Sequence, residues 1–160
     1  MPHLRLEVAE EWLREEFKTA TGFDAKKLLD HLVQVVAGLR MEKPGSAPGD
    51  PAGPTMVPMI NLSNLKHAIV PLYYAHVAGD PAKRFLHVTL SAGNDTPGRT
   101  AAVRLRASQI LGEEVDQFTG ALPGLKGLAS VTAHVQDIDR DRGYSTTGER
   151  QKKRDAAKPN

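Results

Sequence analysis

Leu4, Leu6 and Val8 alternate with His3, Arg5 and Glu7, so the chain opens on a strand with one buried face and one polar face. Such a strand needs partners for its backbone N–H and C=O groups and a layer over its apolar side. The rest of the chain has to supply both. Pro2 stands directly before this strand. While Met1 is attached, the Pro2 nitrogen is an amide; once Met1 is removed, it becomes a secondary amine. An α-amino group titrates at roughly 7.7 to 8.0, and burial or neighbouring cations lower that by disfavouring the protonated form. Pro2 is therefore a candidate general acid/base at neutral pH.

The 160 residues are enough for one ordinary domain, and 40% hydrophobic with 25% charged is the balance of a soluble globular protein. No run approaches the roughly 18 apolar residues that span a membrane, and no secretory signal is evident. A cytoplasmic protein without membrane association is expected. The absence of cysteine removes disulfides, thiol nucleophiles and thiolate metal sites. His31, His67, His76 and His134 are scattered without metal-ligand spacing, and no nucleotide-binding glycine motif occurs. Neither a metal nor a cofactor is expected.

Along the chain, Glu10 to Lys18 reads as a short helical turn with Trp12, Leu13 and Phe17 inward, followed by a turn at Thr21-Gly22. Asp24 then caps a helix whose Leu28, Leu29, Leu32, Val35, Val36 and Leu39 recur at helical spacing. From Lys43 to Pro58, five of sixteen residues are proline, which predicts a long loop within the domain. A second strand is predicted over Lys66 to Val77, at an edge or bulged because of Pro71, and a third over Phe85 to Leu90. Thr96-Pro97 marks the start of a second main helix, with Ala101, Leu105, Leu111, Val115 and Phe118 inward and a stop at Gly120. The alternation of Ala129, Val131, Ala133 and Val135 gives the fourth strand.

The order is strand, helix, strand, repeated once. It predicts an α/β (α+β) two-layer sandwich in which two βαβ units share a four-stranded sheet over residues 1–139. From 140 to 160 the chain is charged and poor in apolar residues, a flexible tail. Its basic run Arg150 to Arg154 reads as a solvated segment rather than a nucleic-acid contact, since only 5% of the chain is aromatic.

The opening Met-Pro-His-Leu, the segment Phe85-Leu-His-Val-Thr-Leu90, the turn at Gly98-Arg99 and the alanine-rich helix after it resemble the 5-carboxymethyl-2-hydroxymuconate Δ-isomerases. These belong to the tautomerase superfamily, whose members carry a catalytic N-terminal proline on repeated βαβ units. The resemblance spans roughly residues 2 to 9 and 65 to 138. It implies an isomerase that shifts a proton in an unsaturated 2-hydroxy or 2-oxo dicarboxylate, with Pro2 as general base and a homotrimer as the assembly.

On the same resemblance, Arg99 is the first candidate for holding a substrate carboxylate, placed in the first turn of its helix. Lys66 is the second, with charge but without arginine's fork. His3 is a third, either lining the site or satisfying a structural hydrogen bond, and His87 is open to the same two readings. Two alternatives stand beside the isomerase: a Pro2-dependent hydratase, decarboxylase or dehalogenase of a small acid, and a non-catalytic oligomeric binding protein on the same scaffold.

Overall fold

The computed structural model describes residues 1–45, 53–73, 76–77, 80–93 and 96–138. Strand β1 (His3–Ala9) is followed by a 3-10 turn (Glu10–Leu13), helix α1 (Glu15–Thr21) and helix α2 (Ala25–Gly38). A small ribbon of β2 (Arg40–Glu42) and β3 (Met56–Pro58) comes next. Then follow β4 (Lys66–Leu72), the short β5 (His76–Val77), β6 (Asp80–Gly93), α3 (Ala101–Gly120) and β7 (Ala129–Ile138).

The four long strands lie in the order β4-β1-β6-β7, with β1 parallel to β4, β6 parallel to β7, and β1 antiparallel to β6. β5 pairs with the first part of β6. This is a mixed sheet made of two βαβ units, the expected α+β sandwich. Leu4, Leu6 and Val8 from β1 and Leu86, Val88 and Leu90 from β6 are fully buried, and α2 and α3 pack over the sheet. Burial of each such side chain is worth about 1.5–3 kcal/mol, so the alternating face is the main adhesive between the layers.

Helix α2 forms as its sequence dictates. The Asp24 carboxylate accepts from the N–H groups of Lys26 and Lys27 at 3.0 and 3.2 Å, satisfying two of the first-turn donors. Leu28, Leu29, Leu32 and Val36 are buried. Before it, Trp12 stacks on Phe17 at 5.1 Å and meets Phe23 edge-on at 5.5 Å, closing one end of the core.

Some details differ from the reading of the residues: the strand read over Lys66 to Val77 is divided into β4 and β5, β6 begins at Asp80 rather than Phe85, and Leu13 is exposed rather than inward. The stretch 43–58 is not loop throughout: its last three residues form β3, and Lys43 N–H donates to Thr55 O at 2.8 Å beyond the ribbon. Proline is tolerated there because a two-stranded ribbon leaves one side of each strand without a ladder. Residues 46–52 of that stretch and the tail from 139 lie outside the described residues. The inner face of α3 is Ala107, Leu111, Val115 and Thr119. Leu105 is 62% exposed, because it stands two residues, about 200° around the helix, from Ala107.

Helix α3 also starts later than Thr96-Pro97 suggests. Thr100 is its N-cap, accepting from Val103 N–H at 3.3 Å. Thr96 to Arg99 instead form a turn closed by Arg99 N–H on Thr96 O. Gly98 has φ +90°, which no helix accommodates, and a Cβ there would lie 2.9 Å from Glu42 O. Arg99 therefore precedes the helix cap rather than occupying the first turn.

Candidate active site

Strand register gathers several of the predicted residues at one end of the sheet. His3 is paired with Lys66 on β4 and with Ser91 on β6, and Ser91 with Gln136 on β7. Directly opposed side chains on a sheet are about 4.5–5.5 Å apart at Cβ, so Lys66, His3, Ser91 and Gln136 form one row on the face away from the helices. Gln136 Nε2 donates to Ser91 Oγ at 2.9 Å, and Ser91 is only 6% exposed. The next row is Ala68, Arg5, Thr89 and His134; the third is Val70, Glu7, His87 and Thr132.

Pro2 stands one residue before this row and is half-buried, with its carbonyl oxygen accepting from Lys66 N–H at 3.0 Å. The main chain of β4 thus fixes the residue that opens β1. The His3 imidazole is held below its ordinary value, first by burial and then by the positive charges of the N-terminal amine, Lys66 and Arg5.

Arg99 reaches the same end of the sheet by a different route. Its Nη1 donates to Gly93 O at 2.5 Å and its Nη2 to Met59 O at 3.1 Å. Gly93 lies two residues beyond Ser91, so the guanidinium clips the end of β6 to the segment that follows β3. Behind it, Arg104 Nη1 donates to Arg99 O at 2.7 Å and pairs with Asp137 at 3.0 Å. The structure therefore brings Pro2, His3 and Lys66 together directly, and places Arg99 with two of its donors on main-chain carbonyls.

Reading the residues missed Ser91, Gln136 and the Arg104–Asp137 pair. Ser91 carries a usable signal, because it continues the His87, Thr89 alternation past Leu90. The other three depend on register with β7, which no local pattern reveals. A groove of about 520 Å³ runs between α2, β2 and α3, and its lining includes none of Pro2, His3, Lys66 and Arg99. Among the described residues no cluster of three His, Asp or Glu side chains could hold a metal ion, and no helix is long and apolar enough to cross a membrane.

No protein-family profile matches the sequence, and no curated protein sequence matches it. Solved structures do. A 5-carboxymethyl-2-hydroxymuconate isomerase from Deinococcus radiodurans R1 superposes with a TM-score of 0.57 at 18% identity, over 91% of this chain and 88% of that one. A macrophage migration inhibitory factor-like protein from Entamoeba histolytica gives 0.49 at 12% identity, over 90% of this chain and 95% of that one. At 18% identity the likeness to the Deinococcus isomerase speaks for the fold. The arrangement of two βαβ units on one mixed sheet is a tautomerase-like fold.

Proposed function

We propose that the protein is a cofactor-independent isomerase of the tautomerase type, with Pro2 as its general base once Met1 has been removed. The observation that carries this reading is the position of Pro2: half-buried at the head of β1, tied to β4 through Lys66, and adjacent to a histidine whose protonation is opposed by burial first and by neighbouring positive charge second. A free proline amine is a secondary amine, and in its neutral form it can accept a proton.

The substrate class that suits these residues is an unsaturated 2-hydroxy or 2-oxo dicarboxylate of the 2-hydroxymuconate type, or its 5-carboxymethyl derivative with a third carboxylate. Pro2 nitrogen takes the proton of the 2-hydroxyl group; the oxygen's electron pair forms the 2-oxo group, and the double bonds shift. Pro2 then returns a proton at carbon 5, leaving a conjugated 2-oxo-3-ene and the neutral amine. Negative charge gathers on the oxygen during this transfer, and fixed cations stabilise it without reorganisation. Lys66 and Arg99 supply positive charge for oxygen and carboxylates, and a neutral His3 offers a hydrogen bond. A homotrimer would cover the polar sheet face and the edges β4 and β7.

The testing experiment follows ketonisation of 2-hydroxymuconate by ultraviolet absorbance, using protein whose terminus has been established by intact mass. The reading expects turnover that depends on a free Pro2. A protein with free Pro2 and no turnover of this substrate class would contradict it.

A further inference from the structure

The groove between α2, β2 and α3 stands apart from the Pro2 end and has a construction of its own. Its walls are Val35 near the end of α2, Leu39 just after it, Met59 after β3, and Val103, Ala107 and Ile110 from α3. The α3 residues at 103, 106, 107, 110 and 114 recur at three- and four-residue steps, so one continuous helix stripe lines one side. Leu39, Met59 and Ala107 are almost fully buried and form a dry floor. The volume of about 520 Å³ falls inside the range of about 300–1,000 Å³ usual for small-molecule sites.

The polar groups on the rim are unequal in charge. Arg40 is held at the mouth by its own contacts, Nη1 donating to Ala37 O at 2.7 Å and to Leu39 O at 3.2 Å. Arg106 lines the groove one helix turn beyond Val103 and has no ion-pair partner among the described residues. Glu114, which also lines it, is engaged by His31 Nε2 at 2.7 Å, and the His31 ring stacks near Phe118. The one carboxylate is thus hydrogen-bonded to α2, and two guanidinium groups against this single acid leave the rim with an excess of positive charge over an apolar trough.

We infer that this groove is a binding site for a linear aliphatic monocarboxylate, with its chain on the Leu39, Met59, Ala107 floor and its carboxylate at Arg40 and Arg106. A neutral alcohol of the same length would gain the chain burial but not the charge-assisted bonds. A dicarboxylate of the kind proposed for Pro2 would have to bury its second charge in the apolar trough, which is unfavourable without a partner. The two sites therefore select different ligands, and this inference does not depend on Pro2 chemistry.

The test uses the full chain, titrated with octanoate and with 1-octanol and read by methyl NMR at Val35, Val103 and Ile110. Octanoate is expected to produce saturable shifts at these methyls, with 1-octanol at least about tenfold weaker. The double variant Arg40→Gln/Arg106→Gln should bring octanoate down to the level of the alcohol. Ala102→Trp, a change at an exposed position on the groove wall, should abolish binding of both while leaving the spectrum of the sheet unchanged. Arg106→Gln alone provides the same charge test if the double variant fails to fold. Absence of saturable shifts, equal affinity for acid and alcohol, or undiminished octanoate binding to folded Ala102→Trp would each overturn the inference.

Discussion

The main-chain N–H of Lys66 donates to the carbonyl oxygen of Pro2 at 3.0 Å. This bond sets the first residue of β4 beside the residue that opens β1, and it leaves the Lys66 ammonium exposed next to His3. Because the bond uses only backbone, the side chain can be changed without disturbing the strand. Lys66→Gln should leave stability within about 0.5 kcal/mol and raise KM for a dicarboxylate about tenfold, the loss of one charge-assisted hydrogen bond. Steady-state kinetics and urea unfolding measure the two effects separately. An unchanged KM would reduce Lys66 to a solvated cation.

His3 predicts a pH dependence with a definite sign. The unfolded imidazole takes up its proton near 6.5, the folded one only at lower pH because burial and nearby cations oppose the charge. Between those two values the unfolded chain binds more protons, so stability falls as pH drops through 6.5 and stops falling below the folded value. Above 6.5 both forms are neutral and the contribution vanishes. His3→Gln should therefore show a smaller drop in urea midpoint between about pH 7.5 and pH 5 than wild type. Superimposable profiles for the two proteins would contradict this.

Asp24 carries the opposite sign. Its carboxyl is held below the ordinary 3.8, chiefly by the hydrogen bond with Lys18 and further by the N–H groups of Lys27 and Lys26, while burial opposes. Its stabilising effect is complete above 3.8 and disappears as pH falls through the folded value. Asp24→Ala should cost about 1 kcal/mol near neutral pH and nothing once the carboxyl is protonated. Fluorescence of Trp12, the only tryptophan, follows the unfolding.

Gly98 joins the turn before α3 to the β2–β3 ribbon. Its φ of +90° and the 2.9 Å approach of a Cβ to Glu42 O leave no room for a side chain. Gly98→Ala should destabilise by about 1–3 kcal/mol, read by urea unfolding. A neutral result would mean that the turn can re-form without its left-handed residue.

How much of this was legible depended on whether the signal was local. Leu4, Leu6 and Val8 announced β1, and Asp24 with its leucine repeat announced α2, because alternation and capping are properties of neighbouring residues. The βαβ order followed from counting such elements. Thr96-Pro97 misled, because hydroxyl plus proline describes a turn as well as a helix start, and Gly98 decided for the turn. Leu105 misled because apolarity does not reveal which side of α3 meets the sheet. At the site, Pro2, His3 and Lys66 met as strand pairing required, but the Ser91–Gln136 bond and the grip of Arg99 on Gly93 and Met59 are long-range contacts with no local trace.

If the Pro2 nitrogen does the chemistry, as proposed, replacing Pro2 must remove most of the activity. Wild type and Pro2→Ala, each with Met1 shown by intact mass to be absent, are assayed for 2-hydroxymuconate ketonisation under the same conditions. Wild type is expected to turn over and Pro2→Ala to lose at least about a hundredfold in kcat/KM, the usual contribution of a positioned general base. Equal rates for the two proteins would contradict it.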